Sequence, residues 1–215
     1  MARVNDVPAR RFLVLIIVCT LTGCTTFAPR PDRTRLLLLT PITPTSSANG
    51  IAAEPTPVII GLGPVNLPQY LDRLSLVTRT SPNGIELSNN DQWAEPLSDN
   101  FRHVLATDLT TLLPNASIVQ FPWYQETKLD YIARMSIERF DTNMAGTAEL
   151  IGRWELRSKS GELLAGHDVQ FSERATASTG DAAAAALSTD LGDLARQIAS
   201  AVERQEQQHL ARRQG

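Results

Sequence analysis

Thiols, imidazoles and long apolar runs are all scarce in this 215-residue chain. Its two cysteines, Cys19 and Cys24, both lie near the N-terminus, so the rest of the sequence has no thiol at all. That excludes an internal disulfide, a cysteine metal site and a thiol nucleophile beyond residue 24. The three histidines, His103, His167 and His209, form no His-x-x-x-His or His-x-His pair. Neither a metal nor a cofactor is therefore expected. No Gly-x-Ser-x-Gly elbow occurs, which argues against a serine hydrolase. The longest apolar run, residues 12–18, falls well short of the roughly 20 residues that a membrane-crossing helix needs. Net charge is −3, and a mildly acidic chain does not suit nucleic acid.

The N-terminus carries the strongest signal. Arg3, Arg10 and Arg11 form a basic head, residues 12–18 (FLVLIIV) form an apolar middle, and Leu21-Thr22-Gly23-Cys24 follows. Small residues before a cut site are the mark of an export signal. With cysteine directly after them, the stretch resembles the lipobox of bacterial lipoproteins. The resemblance implies cleavage between Gly23 and Cys24, a diacylglycerol on the Cys24 sulfur, and an acyl group such as palmitate on the new amino terminus. Two or more chains anchor a protein stably. Residues 1–23, the signal peptide, carry Arg3, Arg10 and Arg11 against Asp6. The remaining 192 residues thus hold a charge near −5, which leaves little electrostatic attraction to anionic lipid. Residues 24–34 read as a linker. Ten extended residues span at most about 33–36 Å, so the domain sits close to its membrane.

The segment from 35 to 203 reads as one domain. Residues 35–40 (RLLLLT) suggest a buried strand closed by Pro41. Residues 41–57 form a loop long enough to be disordered or functional. A second strand spans 58–65. Strands at 75–80 and 85–88 flank Ser81-Pro82-Asn83-Gly84, a hairpin signal because Asn and Gly tolerate positive φ. A helix over 94–113 gathers Leu97, Phe101, Val104, Leu105, Leu109 and Leu112 on one face. Asn100, His103 and Thr107 fall on the opposite face. A short strand covers 117–121. Apolar residues then alternate at Tyr131, Ala133, Met135 and Ile137, next at Ala148, Leu150, Gly152, Trp154 and Leu156, and last at Leu163, Ala165, His167, Val169 and Phe171. Such alternation means an antiparallel meander with one wet face. Ser178-Thr179-Gly180-Asp181 reads as a capping box, and Leu187, Leu191, Leu194, Ile198 and Val202 stripe a final helix. Residues 204–215 read as a fraying polar tail. The expected class is α+β: a two-layer sandwich, mainly antiparallel, covered on one face by two amphipathic helices.

No catalytic constellation emerges. Gly61-Leu62-Gly63 is followed by Pro64 and not by a helix, so it shapes a strand end and does not cradle phosphate. His167 reads as packed or hydrogen-bonded and His209 lies in the tail. Phe121-Pro122-Trp123-Tyr124 reads as a core corner before a partner-binding patch. Trp93 and Trp154 are assigned to packing.

Residues Gly61-Leu62-Gly63-Pro64-Val65, Leu67-Pro68-Gln69-Tyr70-Leu71-Asp72-Arg73, Leu76-Val77-Thr78-Arg79, the Asn83-Gly84 turn and Trp93-Ala94-Glu95-Pro96-Leu97 together resemble the ABC-type transport auxiliary lipoproteins, the PqiC-like group. The early Leu38-to-Pro41 stretch fits the same pattern. Two positions depart from it: Leu74 stands where proline is usual, and Gln92 where a basic residue is common. The resemblance implies a non-catalytic lipoprotein of the outer membrane. Its implied role is to dock a periplasmic tube of an MCE-domain (mammalian cell entry) protein that moves lipids or other hydrophobic compounds. Homo-oligomerisation is a further expectation, since a tube has rotational symmetry to match. Thr25, in place of aspartate after Cys24, is consistent with the outer membrane. An envelope hydrolase, acting for instance on peptidoglycan, and an assembly lipoprotein of a secretion machine are the alternatives.

Overall fold

A computed structural model describes residues 33–43, 57–124 and 126–214. The lipobox 21–24 and most of the 41–57 loop lie outside the described residues. The unit from Thr34 onward holds eight strands and two long helices. In chain order they are β1 (Arg35–Leu37), β2 (Val58–Asn66), β3 (Ser75–Ser81), β4 (Gly84–Trp93), α1 (Leu97–Leu112), β5 (Ala116–Gln120), β6 (Tyr131–Asn143), β7 (Thr147–Ser158), β8 (Leu163–Arg174) and α2 (Gly180–Gln214).

All eight strands join one mixed sheet, packed by the two helices into an α+β sandwich. The long ladders, β6–β7 and β7–β8, are antiparallel, as the alternation predicts. The inward residues Tyr131, Ala133, Met135 and Ile137, and Ala148, Leu150, Trp154 and Leu156, are buried. Beyond Ile137 the inward parity shifts, because a bulge makes Ile137 oppose Gly152 while Arg139 opposes Ile151. Phe140 and Thr142 then face inward, and the Phe140 ring meets Phe101 of α1 edge-on, with centroids 5.1 Å apart. Gly152 permits the bulge: a Cβ there would stand 2.6 Å from the Ser136 carbonyl oxygen.

β6 is the spine. β7 covers one of its edges from Tyr131 to Thr142. The other edge is shared. β2 takes the first part, from Ile60↔Tyr131 to Asn66↔Ser136, and β3 touches only the end, at Thr78↔Thr142 and Arg79↔Asn143. Gly63, with φ at 120°, lets β2 deviate there, and the strand then resumes to Asn66, so the glycine shapes an irregularity within the strand and not its end.

Several expectations need correction. The 35–40 run is not a buried strand. Leu37 and Leu39 are buried, but Leu36 and Leu38 are exposed, because alternate side chains of an extended segment point to opposite faces and among the described residues only one face is covered. α1 begins at Leu97 rather than 94, with Pro96 before it. The β3–β4 hairpin forms, but without positive φ at Asn83 or Gly84. Gly84 serves instead to admit Thr80 Oγ1 and Ser81 Oγ, which a Cβ would meet at 2.7 and 2.8 Å. Thr179, not Ser178, caps α2: its Oγ1 accepts from the Ala182 N–H. Residues 204–214 continue α2 as helix instead of fraying, and the Tyr131 hydroxyl donates to Glu206 there.

Asn100 is a further correction: it is buried, not on a wet face. Its Oδ1 accepts from the Leu39 N–H at 2.7 Å. The next donors are answered in the same way. Thr40 N–H donates to Ser188 Oγ at 3.0 Å and Ile42 N–H to Asp108 Oδ1 at 2.8 Å, while Pro41 between them has no N–H. The segment after β1 is thus strapped to side chains of both helices. Gly192 makes room for it, since a Cβ there would meet Ile42 Cγ2 at 2.8 Å. Replacing Asn100→Ala leaves the Leu39 N–H buried without an acceptor, and urea unfolding should show a loss of about 1–3 kcal/mol.

Candidate functional site

Three arrangements of polar or exposed side chains stand out from the core. The first closes the gap that β2 and β3 leave on β6. After β2, the 3₁₀ turn Gln69–Leu71 brings the Tyr70 hydroxyl to Asp141 Oδ2 at 2.7 Å. Arg79 of β3 reaches the same oxygen at 2.9 Å, and Arg139 reaches Asp141 Oδ1 at 2.9 Å. Arg79 also lies over the Tyr70 ring, 5.6 Å from its centroid. Burial, then Asp141, push the Tyr70 hydroxyl up to about 12, so it remains a proton donor to the carboxylate. Asp141 is buried with every ligand to it supplied from within the fold, so this is a structural knot. The motif residues Tyr70 and Arg79 are therefore scaffold.

The second arrangement is a pair of buried carboxylates on the helices. Asp108 of α1 and Asp190 of α2 each keep one side-chain oxygen without a partner. Burial pushes Asp108 up to about 6, against the lowering effects of the Ile42 N–H and Arg196. Burial and the charges of Asp193, Glu173 and Glu149 push Asp190 up to about 7. Neither was singled out from sequence. The available signal was their placement among stripe positions, Asp108 between Leu105 and Leu112, and Asp190 between Leu187 and Leu194.

The third is the aromatic cluster after β5. It is not a core corner: Tyr124 is 84% exposed and Phe121 41% exposed. Phe121 and Trp123 meet edge-on at 5.2 Å, and Trp123 covers Gly61 of β2. Among the described residues β5 pairs only with β2, and no further strand lies beyond it beside these rings. Beside them, Trp123, Tyr124, Lys128, Ile132 and Lys159 line an open depression of about 480 Å³. Trp93 and Trp154, by contrast, are core residues as expected.

The histidines stand apart on three elements. His103 on α1 is half-exposed, with Nδ1 3.6 Å from Glu95. His167 on β8 is exposed, its ring 5.4 Å from that of Trp154. His209 lies on the exposed end of α2. Among the described residues no group of three or more His, Cys, Asp and Glu is placed to hold a metal. A polar cleft of about 360 Å³ between β4 and the start of α2 contains Glu86 and Asp91. Asp91 is committed to Arg35 at 2.7 Å and to Ser88 at 3.2 Å. Among the described residues no helix is long and apolar enough to cross a membrane.

Comparison with known proteins agrees with this picture. Residues 37–199 match the family model of the ABC-type transport auxiliary lipoprotein component. The intermembrane transport lipoprotein PqiC of Escherichia coli is 24% identical over 157 residues, covering 72% of this chain and 78% of PqiC. Two crystal structures share the fold. An uncharacterised protein superposes with TM-score 0.61 at 20% identity, over 70% of this chain and 96% of the other. Protein XCC0632 of Xanthomonas campestris superposes with TM-score 0.59 at 15% identity, over 81% and 97%.

The buried carboxylates make stability depend on pH in a defined direction. Both are raised above their ordinary value of 3.8, so the folded chain holds protons that the unfolded chain releases. Stability should fall as pH rises from about 4 to about 7 and level off above that. Asp190→Asn should flatten the upper part of this dependence. It should raise stability at pH 8 by roughly 1–3 kcal/mol and have little effect at pH 4, as read from thermal melts across the range.

Proposed function

The chain belongs to the family of ABC-type transport auxiliary lipoprotein components, and on that premise we propose that it is an outer-membrane-anchored accessory subunit of an MCE-type transport system. Lipids or other hydrophobic compounds are the cargo class. Cys24 carries the acyl chains after cleavage behind Gly23, the domain faces the periplasm on its short linker, and it docks the end of an MCE-domain tube. The same docking supports envelope integrity. One observation carries the reading: the family match, residues 37–199, runs from the last residue of β1 into α2, so it takes in β2 to β8, all of α1 and the first twenty residues of α2. PqiC, named for intermembrane transport, is similar over most of that span.

The exposed rings of Phe121 and Tyr124 are the docking face that this reading favours. Aromatic anchors dominate many interfaces, and these two stand at a sheet edge outside the core. Among the described residues β5 pairs only with β2, and its other edge offers unpaired backbone to a neighbouring copy, which suits a ring matched to a tube. A hydrolase gains no support from the 360 Å³ cleft, whose Asp91 is occupied by Arg35.

Affinity capture from detergent-solubilised envelope should recover an MCE-domain protein with the wild-type lipoprotein. Phe121→Ala with Tyr124→Ala should weaken that capture about tenfold or more while leaving the melting temperature unchanged, because neither ring fills the core. Capture at wild-type strength by the double variant would remove the aromatic edge as the docking face. Failure of the wild type to recover any MCE-domain protein would remove the transport reading itself. Separately, Cys24→Ala should abolish incorporation of labelled palmitate and release the protein from the membrane fraction.

A further inference from the structure

Leu36 and Leu38 are two large apolar side chains, close together, that the fold leaves in water. They are 67% and 51% exposed, on the side of the first strand opposite to buried Leu37 and Leu39. An edge strand facing solvent ordinarily carries charge or proline. Here one outward leucine in β1 and one just after it stand at alternate positions, with Arg33 and Arg35 before them and Pro41 after them. The Arg35 side chain is half-exposed and tied to Asp91 at 2.7 Å.

Their position along the chain identifies what covers them. Leu36 lies twelve residues after Cys24, a stretch that reaches at most about 40–43 Å fully extended. No other exposed leucine of the described residues is so close in sequence to the acylation site. The leucines are also held in place. β1 is paired to β4, Ala94 N–H donates to the Leu37 carbonyl, and the following residues are strapped to Asn100, Ser188 and Asp108. They cannot fold back onto the core, whose inward positions Leu37 and Leu39 already fill. The opposite edge of the sheet contrasts with them. β8 turns Asp168 and Gln170 to solvent, with Asp168 paired to Arg153.

We propose that Leu36 and Leu38 form a bilayer-contacting ridge, seated at the headgroup–acyl boundary of the membrane that holds the Cys24 lipid. The ridge sets the orientation of the domain. β1 lies against the bilayer, the β8 edge stands away from it, and the acyl chains supply residence while the leucines supply angle. The inference rests on the lipid-anchor reading above.

The chain provides its own probe chemistry. With Cys24 acylated and Cys19 removed, the mature protein has no other thiol, so Leu36→Cys, Leu38→Cys and Leu163→Cys each offer one site for a nitroxide label. Leu163, on β8, is 49% exposed and serves as the reference at the far edge. The labelled, acylated proteins are reconstituted into vesicles of phosphatidylethanolamine and phosphatidylglycerol, and flotation first reports whether each is anchored. The expected result is that labels at 36 and 38 gain accessibility to dissolved oxygen and lose it to a water-soluble nickel chelate, whereas the label at 163 stays open to the chelate. Chelate access at all three sites overturns the proposal while leaving the anchor intact. Shielding of 36 and 38 from both reagents, with spin–spin broadening, shows a second copy over the leucines and also overturns it. Loss of flotation by the wild type removes the anchor reading instead, and the ridge with it. Because the substituted side chains lie outside the core, thermal melts of the three variants should match the wild type.

Discussion

The sheet depends on a single buried carboxylate. β1, β4 and β3 form one part of it, and β2, β5, β7 and β8 are organised around β6. The two parts share only the short β3–β6 contact at Thr78–Thr142 and Arg79–Asn143. Two backbone pairings are a weak seam. Asp141 strengthens it by drawing Tyr70 from the turn, Arg79 from β3 and Arg139 from β6 onto one pair of oxygens. A buried carboxylate costs several kcal/mol to desolvate and is tolerable only when its lone pairs are met. Here they are met from three separate segments, so the knot forms only when the two parts of the sheet are in register. The sequence cluster that marks the family contains Tyr70 and Arg79, and its meaning is this seam.

Scaffold and function therefore separate in this fold. Tyr70 and Arg79, which carry part of the resemblance, are spent on holding β3 to β6, whereas the proposed docking face lies elsewhere, at a sheet edge. That division explains why the docking face has to be argued from exposure and not from the motif. The aromatic rings after β5 illustrate the point. In sequence, a Phe-Pro-Trp-Tyr run at a strand end looks like core, since large rings are usually buried there. Whether it is core depends on whether another strand lies beyond, and strand order is a tertiary property that local pattern does not carry.

The same distinction sorts the rest of what the sequence conveyed. Period-two alternation placed Tyr131 to Ile137 and Ala148 to Leu156 on the inner face, and the helical stripe from Leu187 to Val202 was equally plain. These are local regularities amplified by burial. The bulge opposite Gly152 was not legible, because a single glycine in a strand does not reveal which carbonyl comes close to it. Asn100 was misplaced because helical periodicity sorts residues by polarity alone. A polar side chain on the inner face is correct when a passing strand has N–H groups to be answered, and here Leu39 supplies one. Leu36 and Leu38 were misplaced for the converse reason: an unbroken run of leucines looks buried on both faces, but an extended segment at a one-sided position buries only every second side chain.

The strap behind β1 connects these observations to the anchor. An extended segment crossing two helices presents consecutive backbone donors to a buried groove, and each left unanswered would cost about 1–3 kcal/mol. Asn100, Ser188 and Asp108 answer them, and proline removes the one donor that no side chain meets. Asp108 does this at a cost, since its second oxygen stays unpaired in the interior. On the lipid-anchor reading that cost is reasonable at this position, because residues 35–42 are the first part of the domain that follows the linker in sequence. A strap fixed only by apolar contact could slide along the groove between the helices. One fixed by three directional hydrogen bonds, with Ile42 seated on Gly192, holds a single register against both helices, which is what the proposed anchor would require of the segment that follows it.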